Sequence, residues 1–331
     1  MRILLPTLDD PSSHGGVARY IDAIAKTFSN VRVVFVDIKH LTRFFWNAYH
    51  EYDELWVHHV LPIGTRAWMY RMCGGKPYVI FLHGLDFDLA RRNVWKRWLT
   101  RRILRNAKNV VTNSHALANE VALFASIPDP LVVYPCVDDA LVAAACTILP
   151  SHYPLIPLRL LTVGRLVERK GHLTVIEAIK DDDRFSYTIV GDGEMKEEIQ
   201  QKIREYALED RVQIHGNVDN VALANFYMNA DVFVMPSHKS ASDREGFGIV
   251  YLEAALFGLP VIAVRQPGVD EAVVDGETGV CIEDAVAVLQ STLRHMVTDP
   301  TRVGEMGLRG RERVLAEFTR EKQFGRLREL L

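Results

Sequence analysis

The chain has 331 residues, of which 48% are hydrophobic and 24% are charged, and its formal net charge is −3. It is therefore long enough for two α/β domains and is too acidic for a protein that binds nucleic acid through bulk charge. The four cysteines have no metal-ligand or redox spacing, which predicts reduced thiols and a cytosolic location. No apolar run reaches the roughly 18 residues of a membrane-spanning helix, and the start of the chain does not read as a signal peptide.

Strand and helix patterns alternate along the amino-terminal half, which predicts a parallel sheet with crossover helices. The predicted strands are 2–6, 31–36, 54–58, 78–82, 110–112 and 131–133. Gly15 and Gly16 stand at the first strand–helix turn, where α/β sheets bind ligands, although a pair of glycines also suits a plain turn. His83 follows the fourth strand, where its imidazole is expected to face a ligand; the alternative is an ordinary loop histidine.

The segment 91–108 contains eight basic residues and no acidic residue. Apolar Val94, Trp95, Trp98 and Leu99 recur at helical spacing among them, which predicts a basic amphipathic helix. Such a helix is suited to peripheral contact with an anionic membrane, and it is equally suited to packing its apolar stripe on a domain core. The sequence leaves both interpretations open.

Two further stretches of this half have a predicted role. Residues 39–51 are rich in aromatic side chains, which favours a core position over a wall of an acceptor site. Residues 140–158 contain three prolines and are interpreted as the interdomain linker.

A second α/β unit is predicted from residue 158 onward, with polar turns after each strand. Gly164 and Arg165 follow its first strand, and Lys170 stands at the start of the next helix. Cations at a glycine-containing strand–helix turn are suited to a diphosphate whose negative charge grows as a bond breaks. The next two strands end at Gly191 and just before Val218. A glycine three residues after Gly193 is missing, which disfavours NAD binding.

The segment 231–264 predicts a strand, a polar loop, a helix and a second strand. Its helix opens on Glu245, Gly246, Phe247, Gly248 and Ile249, where free backbone N–H groups favour sugar or phosphate oxygens. Glu253 lies eight residues after Glu245 and about 12 Å further along the helix axis. Glu245 is expected to accept hydrogen bonds from ligand hydroxyls and Glu253 from a ribose; a helix cap and a solvated acid are the alternatives.

These motifs together resemble the retaining GT-B glycosyltransferases of family four. The resemblance rests on E-G-F-G-I-V-Y-L-E, which fits the family's E-x7-E motif, and on G-R-L with K-G, G-D-G and D-G-E-T-G in the same order. Cys136 stands where family members have Asn-Gly, so the loop there is expected to differ.

The resemblance implies a fold of two Rossmann-like α/β/α domains that face a central cleft. It assigns 1–155 to an acceptor-binding domain, 156–310 to a nucleotide-sugar-binding domain, and 311–331 to a helix that crosses back to the first. The family's donor contacts then fall on these residues of the chain: Gly16, Gly164, Arg165, Lys170, Gly191, Val218, Glu245, Gly246, Phe247, Gly248, Ile249 and Glu253. Catalytic roles fall on His83, Arg165, Lys170 and Glu245, with no metal ion and no other cofactor.

The implied function is transfer of a hexose, with retention, from a nucleotide-diphosphate sugar to a lipid-linked or saccharide acceptor in cell-envelope polysaccharide or glycolipid synthesis. The polar loop 237–244 resembles that of mannosyltransferase members of the family, which favours GDP-mannose over a UDP-sugar as donor. The protein is expected in the cytoplasm or on the inner membrane face. Two alternatives remain, a sugar-nucleotide epimerase of the same architecture and a non-catalytic nucleotide-sugar-binding subunit.

Overall fold

The computed structural model describes residues 1–8, 15–37, 51–147, 156–238 and 245–331. The loop 9–14, nearly all of the aromatic stretch, residues 148–155 of the predicted linker and residues 239–244 of the polar loop lie outside the described residues.

The described chain alternates strands with helices, as the sequence predicts. The strands are β1 Ile3–Thr7, β2 Val31–Phe35, β3 Glu54–Val57, β4 Tyr78–Leu82, β5 Asn109–Thr112, β6 Leu131–Val132, β7 Leu158–Val163, β8 Phe185–Val190, β9 Val212–His215, β10 Val232–Met235, β11 Val261–Val264 and β12 Gly279–Ile282. The helices are α1 Gly16–Thr27, α2 Thr65–Met72, α3 Leu85–Ala90, α4 Val94–Asn106, α5 His115–Ala125, α6 Asp139–Cys146, α7 His172–Ile179, α8 Lys196–Glu205, α9 Asn220–Met228, α10 Ile249–Leu256, α11 Val269–Ala272, α12 Val286–Thr298, α13 Pro300–Glu317 and α14 Arg320–Phe324. Short turns of other helical types lie at Val60–Gly64, Glu168–Lys170 and Gly325–Leu330.

The chain forms two compact units. The first comprises Met1–Cys136 together with Arg320–Leu331, and the second comprises Val137–Thr319. The sequence instead places the boundary after residue 155 and the returning segment from residue 311. The boundary falls earlier because α6 packs on α9 and α10 of the second unit.

The first unit is built on a six-stranded parallel sheet in the order β2-β1-β3-β4-β5-β6. The inner strands β1, β3 and β4 are buried on both faces, as parallel strands covered by crossover helices are, whereas the edge strand β2 is partly exposed. The returning carboxyl-terminal segment completes one of these faces, because Phe324, Leu327 and Leu330 join the core cluster that contains Tyr20 of α1. The Phe324 and Tyr20 rings meet edge to face, with centroids 4.6 Å apart.

The second unit has a six-stranded parallel sheet of its own, in the order β12-β11-β10-β7-β8-β9. Helices α10 and α13 pack closely beside it. A Cβ atom at Gly307 of α13 would lie 1.8 Å from the carbonyl oxygen of Gly258, so only glycine allows this approach.

Each sheet reverses its strand order at one point. In the first unit the reversal lies between β1 and β3, and in the second it lies between β7 and β10. Ligands of open α/β sheets bind outside the carboxyl ends of the strands at such a switch point. The turns that follow β1, β3, β7 and β10 are therefore where a site is expected in each unit.

The prediction of two parallel α/β units is confirmed. Within the described ranges, no helix combines the length and the apolar character needed to cross a bilayer.

Candidate active site

The turn after β7 carries the most concentrated positive charge near the switch point of the second unit. Arg165 is exposed there, whereas Lys170 is buried with only 7% of its surface exposed. The turn ends at Gly171, whose φ of +72° lies in the left-handed region that favours glycine. A Cβ atom at Gly171 would also lie 2.4 Å from the carbonyl oxygen of Pro236, so the turn sits directly against the end of β10.

Glu245, from the segment after β10, closes an ion-pair cluster with this turn. Its Oε2 atom accepts a hydrogen bond from Lys170 Nζ at 2.6 Å and another from Arg169 at 2.8 Å. All three side chains are nearly buried, with 9–12% of each side chain exposed. The cluster therefore joins the segments on the two sides of the switch point through charge-assisted hydrogen bonds.

Burial and pairing oppose each other in this cluster. Burial raises the pKa of Glu245, but the charges and hydrogen bonds of Lys170 and Arg169 outweigh it, so the pKa lies below its ordinary value. Burial lowers the pKa of Lys170, and the attraction of Glu245 partly offsets that effect. Arg165 is exposed on the same turn, where its guanidinium group is suited to a further anion.

Helix α7 begins beside the cluster. Its N-cap is Gly171, and no side chain of the described residues caps its first N–H groups. His172 is buried at the first turn, with Nε2 3.2 Å from the carbonyl oxygen of Arg165 and Nδ1 3.4 Å from the Tyr187 hydroxyl. Burial lowers the pKa of His172 to about 4, so this imidazole is neutral at pH 7 and holds the turn in place.

The glycines predicted to approach a ligand differ in what they contact. At Gly191, with φ of +145°, a Cβ atom would lie 2.0 Å from the Gly164 carbonyl oxygen, so this glycine is required by the neighbouring turn. At Gly248, with φ of +81°, a Cβ atom would lie 2.4 Å from the Tyr251 ring. Gly164 and Gly16 have room: the nearest atoms to a Cβ at Gly164 are 3.8 Å away, and none lies within 4 Å at Gly16.

Two of the predicted donor-binding side chains are buried in the second unit. Phe247 is 2% exposed and contacts Phe318, with ring centroids 6.0 Å apart. Glu253 has no exposed surface, and its Oε2 atom accepts a hydrogen bond of 2.9 Å from the Tyr227 hydroxyl. Glu245 and Glu253 thus lie in different surroundings, one at the mouth of α10 and one inside the protein.

The remaining predicted residues of this unit lie at the same sheet edge. Val218 follows β9 and is partly exposed, and Gly246 and Ile249 are partly exposed at the start of α10. The described residues contain no group of three His, Cys, Asp or Glu side chains arranged to hold a metal ion.

The first unit brings its candidate residues together around Tyr20 of α1. The Tyr20 ring meets His83 edge to face at 4.9 Å and His58 at 5.8 Å. His83 Nε2 lies 3.0 Å from His58 Nδ1, at the carboxyl ends of the adjacent strands β4 and β3. Gly16 begins α1, four residues before Tyr20.

The sequence indicated no role for Arg169 and a weaker claim for His58 than for His83, although both contact predicted residues. The signal for Arg169 was its place in E-R-K-G, directly before Lys170. The signal for His58 was its place at the end of a strand adjacent to the one that precedes His83.

Two family profiles match the chain. Glycosyl transferases group 1 matches residues 155–313, and Glycosyltransferase Family 4 matches residues 29–141.

A GDP-mannose-dependent alpha-(1-6)-phosphatidylinositol monomannoside mannosyltransferase of Mycolicibacterium smegmatis is 34% identical over 51% of this chain and 46% of its own length. The protein of that name from Mycobacterium tuberculosis is 27% identical over 86% of this chain and 77% of its own length. The amylovoran biosynthesis glycosyltransferase AmsK of Erwinia amylovora is 30% identical, and the alignment covers 44% of it. The chain thus spans about half the length of some of the curated relatives it matches.

Solved structures share the fold over the whole chain. Sucrose-phosphate synthase from Thermosynechococcus elongatus has a TM-score of 0.79 at 23% identity, covering 99% of this chain and 98% of that one. Anabaena HepE, solved in complex with UDP, has a TM-score of 0.82 at 19% identity, covering 100% and 99%. The two parallel sheets with flanking helices are those of the GT-B class. The two profile matches together support a GT-B glycosyltransferase of the family 4 type, which is a transferase enzyme.

Proposed function

We propose that this protein transfers a hexose from a nucleotide-diphosphate sugar, with retention of the anomeric configuration. The observation that carries the proposal is the buried cluster of Arg169, Lys170 and Glu245 at the switch point of the second unit. Lys170 of this cluster and the exposed Arg165 on the same turn lie beside the start of α7 and are suited to a diphosphate leaving group.

Each side chain has a proposed task in this reaction. Arg165 and Lys170 stabilise the negative charge that grows on the diphosphate as the glycosidic bond breaks, and no metal ion is needed for that task. Glu245 orients Lys170 and accepts hydrogen bonds from sugar hydroxyls. His83 donates a hydrogen bond near the reaction centre, and Gly16 leaves room for the ligand. Glu253 holds the ribose only if the Tyr227 contact opens, because the carboxylate has no exposed surface here.

GDP-mannose is the proposed donor, and a UDP-sugar is the alternative. The names of the two mycobacterial relatives support GDP-mannose, and the UDP bound to HepE supports the alternative. The proposed acceptor is a lipid-linked saccharide or another saccharide used in envelope polysaccharide or glycolipid synthesis. The amylovoran and phosphatidylinositol mannoside transferases support that acceptor class.

A transfer assay tests the reaction. Purified protein is incubated with GDP-mannose, UDP-glucose or ADP-glucose and a panel of lipid-linked and soluble saccharides, with and without EDTA. Transfer with the donor's anomeric configuration kept, insensitive to EDTA and lost in Lys170→Ala, supports the proposal. A free isomerised sugar nucleotide would support an epimerase instead. Donor binding without any turnover on the panel would support a non-catalytic subunit.

We further propose that α4 rests on an anionic membrane. The apolar stripe is split: Ile103 and Leu104 are buried in the core, whereas Val94, Trp95 and Trp98 are 83%, 66% and 43% exposed. The two tryptophan rings stack with centroids 5.1 Å apart. Exposed aromatic side chains among basic residues are suited to the headgroup region of a bilayer.

Not every basic residue of this segment is available to headgroups. Arg91 pairs with Asp88 and Glu120, while Arg101 and Arg105 donate to the carbonyl oxygens of Phe124 and Ala125. The basic residues that we propose for contact with headgroups are the exposed Arg92, Arg97 and Arg102 and the partly exposed Lys96.

Liposome flotation tests this contact. The double variant Trp95→Ser/Trp98→Ser is expected to lose binding to vesicles that contain phosphatidylglycerol, with an unchanged melting temperature because both rings are exposed. Val221→Ser, which changes a 75% exposed apolar residue of the second unit, is the control and is expected to bind as the wild type does. Equal binding by all three proteins, or none by the wild type, would exclude the proposal.

A further inference from the structure

His58 and His83 form a hydrogen-bonded imidazole pair at the switch-point edge of the first unit. His58 Nδ1 and His83 Nε2 are 3.0 Å apart, and the ring planes differ by 12°, which suits an in-plane N–H···N bond. His58 is completely buried and stacks on Phe81 with centroids 4.5 Å apart. Its position is therefore fixed by packing.

The other nitrogen of His58 decides where its proton lies. Among the described residues, His58 Nε2 is buried and has no hydrogen-bond partner. A buried N–H group without an acceptor is rarer and costs more than a buried lone pair without a donor. The proton of neutral His58 is therefore on Nδ1, and Nδ1–H donates to Nε2 of His83.

That donation fixes the tautomer of His83. Because its Nε2 accepts, the proton of neutral His83 is on Nδ1. A second proton on His83 would place two N–H groups against each other, and the clash could be relieved only by moving the His58 proton to the partnerless Nε2. The pair thus opposes both the other tautomer and the imidazolium form of His83.

The surroundings hold His83 by its backbone as well. Its N–H group donates to Asp86 Oδ1 at 3.0 Å, and its carbonyl oxygen accepts from Asn113 Nδ2 at 3.2 Å. Among the described residues, the titratable groups near the pair include the Tyr20 hydroxyl of α1, Asp86 of α3 and His59 after β3. Asp86 Oδ1 is engaged by the His83 backbone N–H group, and His58 Nδ1 is the described partner of His83 Nε2.

We propose that His58 is a positioning residue that holds His83 as a neutral imidazole with its proton on Nδ1. His83 then acts on its ligand as a hydrogen-bond donor and not as a cation or a proton shuttle. The structural half of this inference stands by itself, and the catalytic half rests on the proposed function.

The structural half is tested by nitrogen NMR of protein labelled with ¹⁵N-histidine. The His58 and His83 signals are assigned from the His58→Asn and His83→Gln variants. The expected result is a protonated Nδ1 and an unprotonated Nε2 in both rings between pH 6 and 8. A protonated Nε2 on His83 in the wild-type protein would overturn the proposal, whether or not transferase activity is found.

The substitutions at His58 provide matched controls. The amide nitrogen of His58→Asn replaces Nδ1 as a donor, whereas the carboxylate of His58→Asp only accepts, and His58→Leu does neither. His83 should keep its tautomer in the Asn variant and carry a proton on Nε2 in the Asp variant. If the Asn and Asp variants gave the same His83 tautomer, the proposal would be wrong.

Kinetics test the catalytic half. His58→Asn is expected to keep kcat within about threefold of the wild type, and His58→Leu to lower it about tenfold to a hundredfold, with the KM of the donor unchanged. Melting temperatures identify variants that fail to fold, and those are left out of the comparison. Equal kcat in the folded Asn and Asp variants would contradict the catalytic half alone.

Discussion

At the scale of single residues, Glu245 is notable because it is a nearly buried charged side chain. Its carboxylate is nearly buried and holds two cations, Arg169 and Lys170. Such a pair adds little net stability, because desolvation offsets much of the attraction, but breaking it leaves charges buried without a partner. The cluster is therefore suited to keeping Lys170 in one orientation for a ligand.

Glu245→Gln is expected to lower the free energy of unfolding by about 3 kcal/mol, because Lys170 and Arg169 lose their buried carboxylate. Glu177→Gln is the control, since Glu177 also pairs with a lysine at 2.6 Å but on the surface. Urea unfolding at pH 7.5 measures both variants, and the control should differ little from the wild type. Equal effects of the two substitutions would show that the Glu245 cluster is not buried as described.

Gly16→Ala shows whether the glycine at this position is needed for donor binding or for folding. In the part of the chain that the structure describes, no atom lies within 4 Å of a Cβ at this position, so the melting temperature should not fall. If the donor approaches here, the added methyl group should raise the donor KM several-fold. Gly325→Ala, where the nearest atoms are 3.6 Å away, is the control for both measurements. An unchanged KM in Gly16→Ala would remove Gly16 from the site.

At the scale of elements, residue type predicted the strands and most helices, but not what each glycine contacts. The sequence predicts Gly191 as a ligand-binding glycine. In the structure, a Cβ atom at this position would collide with the Gly164 carbonyl oxygen, so the fold itself requires a glycine here. In the same way, α4 shows a single apolar stripe in its sequence, whereas the structure buries only its carboxyl-terminal part. Periodicity gives the face of a helix, but the neighbours that cover that face are set by tertiary packing.

The contact between α13 and the Gly258 turn is the closest helix approach that the glycines define. Gly307→Ala is expected to lower the free energy of unfolding by about 3 kcal/mol, because the methyl group would lie 1.8 Å from a backbone oxygen.

Gly310→Ala, on the same helix, is the matched comparison. Its Cβ would lie 3.2 Å from that of Ala255, and the helix preference for alanine of about 1 kcal/mol opposes this milder crowding. Chemical denaturation should therefore show a change within about 1 kcal/mol for Gly310→Ala. A larger loss for Gly310→Ala than for Gly307→Ala would contradict the packing described.

At the scale of the whole molecule, the alternation of strands and helices sufficed to predict two parallel sheets. The boundary between the units was not predictable in the same way, because α6 has a helical pattern whichever unit it packs on. The candidate site could be recognised in the sequence where a strand–helix turn carries unusual residues, as over residues 164–170. It was not predictable where pairing is long-range, as between Lys170 and Glu245 or His58 and His83.

The two units are expected to respond in opposite directions to mild acid. In the second unit the pKa of buried His172 is about 4, below its ordinary value of 6.5, so the unfolded chain binds the proton more readily. The free energy of unfolding should therefore fall by roughly 3 kcal/mol as the pH drops from 6.5 to 4, and should not depend on His172 above that range. In the first unit burial raises the pKa of Asp86 from 3.8 to about 6, so the folded state binds the proton more readily and gains stability as the pH falls below 6.

Urea unfolding of the wild type, His172→Gln and Asp86→Asn at pH 7.0, 5.5 and 4.5 measures how steeply the free energy of unfolding of each protein changes with pH. His172→Gln should flatten the loss of stability in acid, and Asp86→Asn should steepen it. Parallel slopes in all three proteins would mean that neither group titrates as described.

Calorimetric titration with nucleoside diphosphates tests most directly whether the turn 164–170 binds the diphosphate of the donor. GDP and UDP are titrated into the wild type, Arg165→Gln and Arg184→Gln; Arg165 is exposed, and Arg184 pairs with Asp182 elsewhere in the second unit. We predict that Arg165→Gln raises the Kd of the bound nucleotide about tenfold, while Arg184→Gln leaves it unchanged. Wild-type affinity in Arg165→Gln, or no binding of either nucleotide to the wild type, would contradict the account.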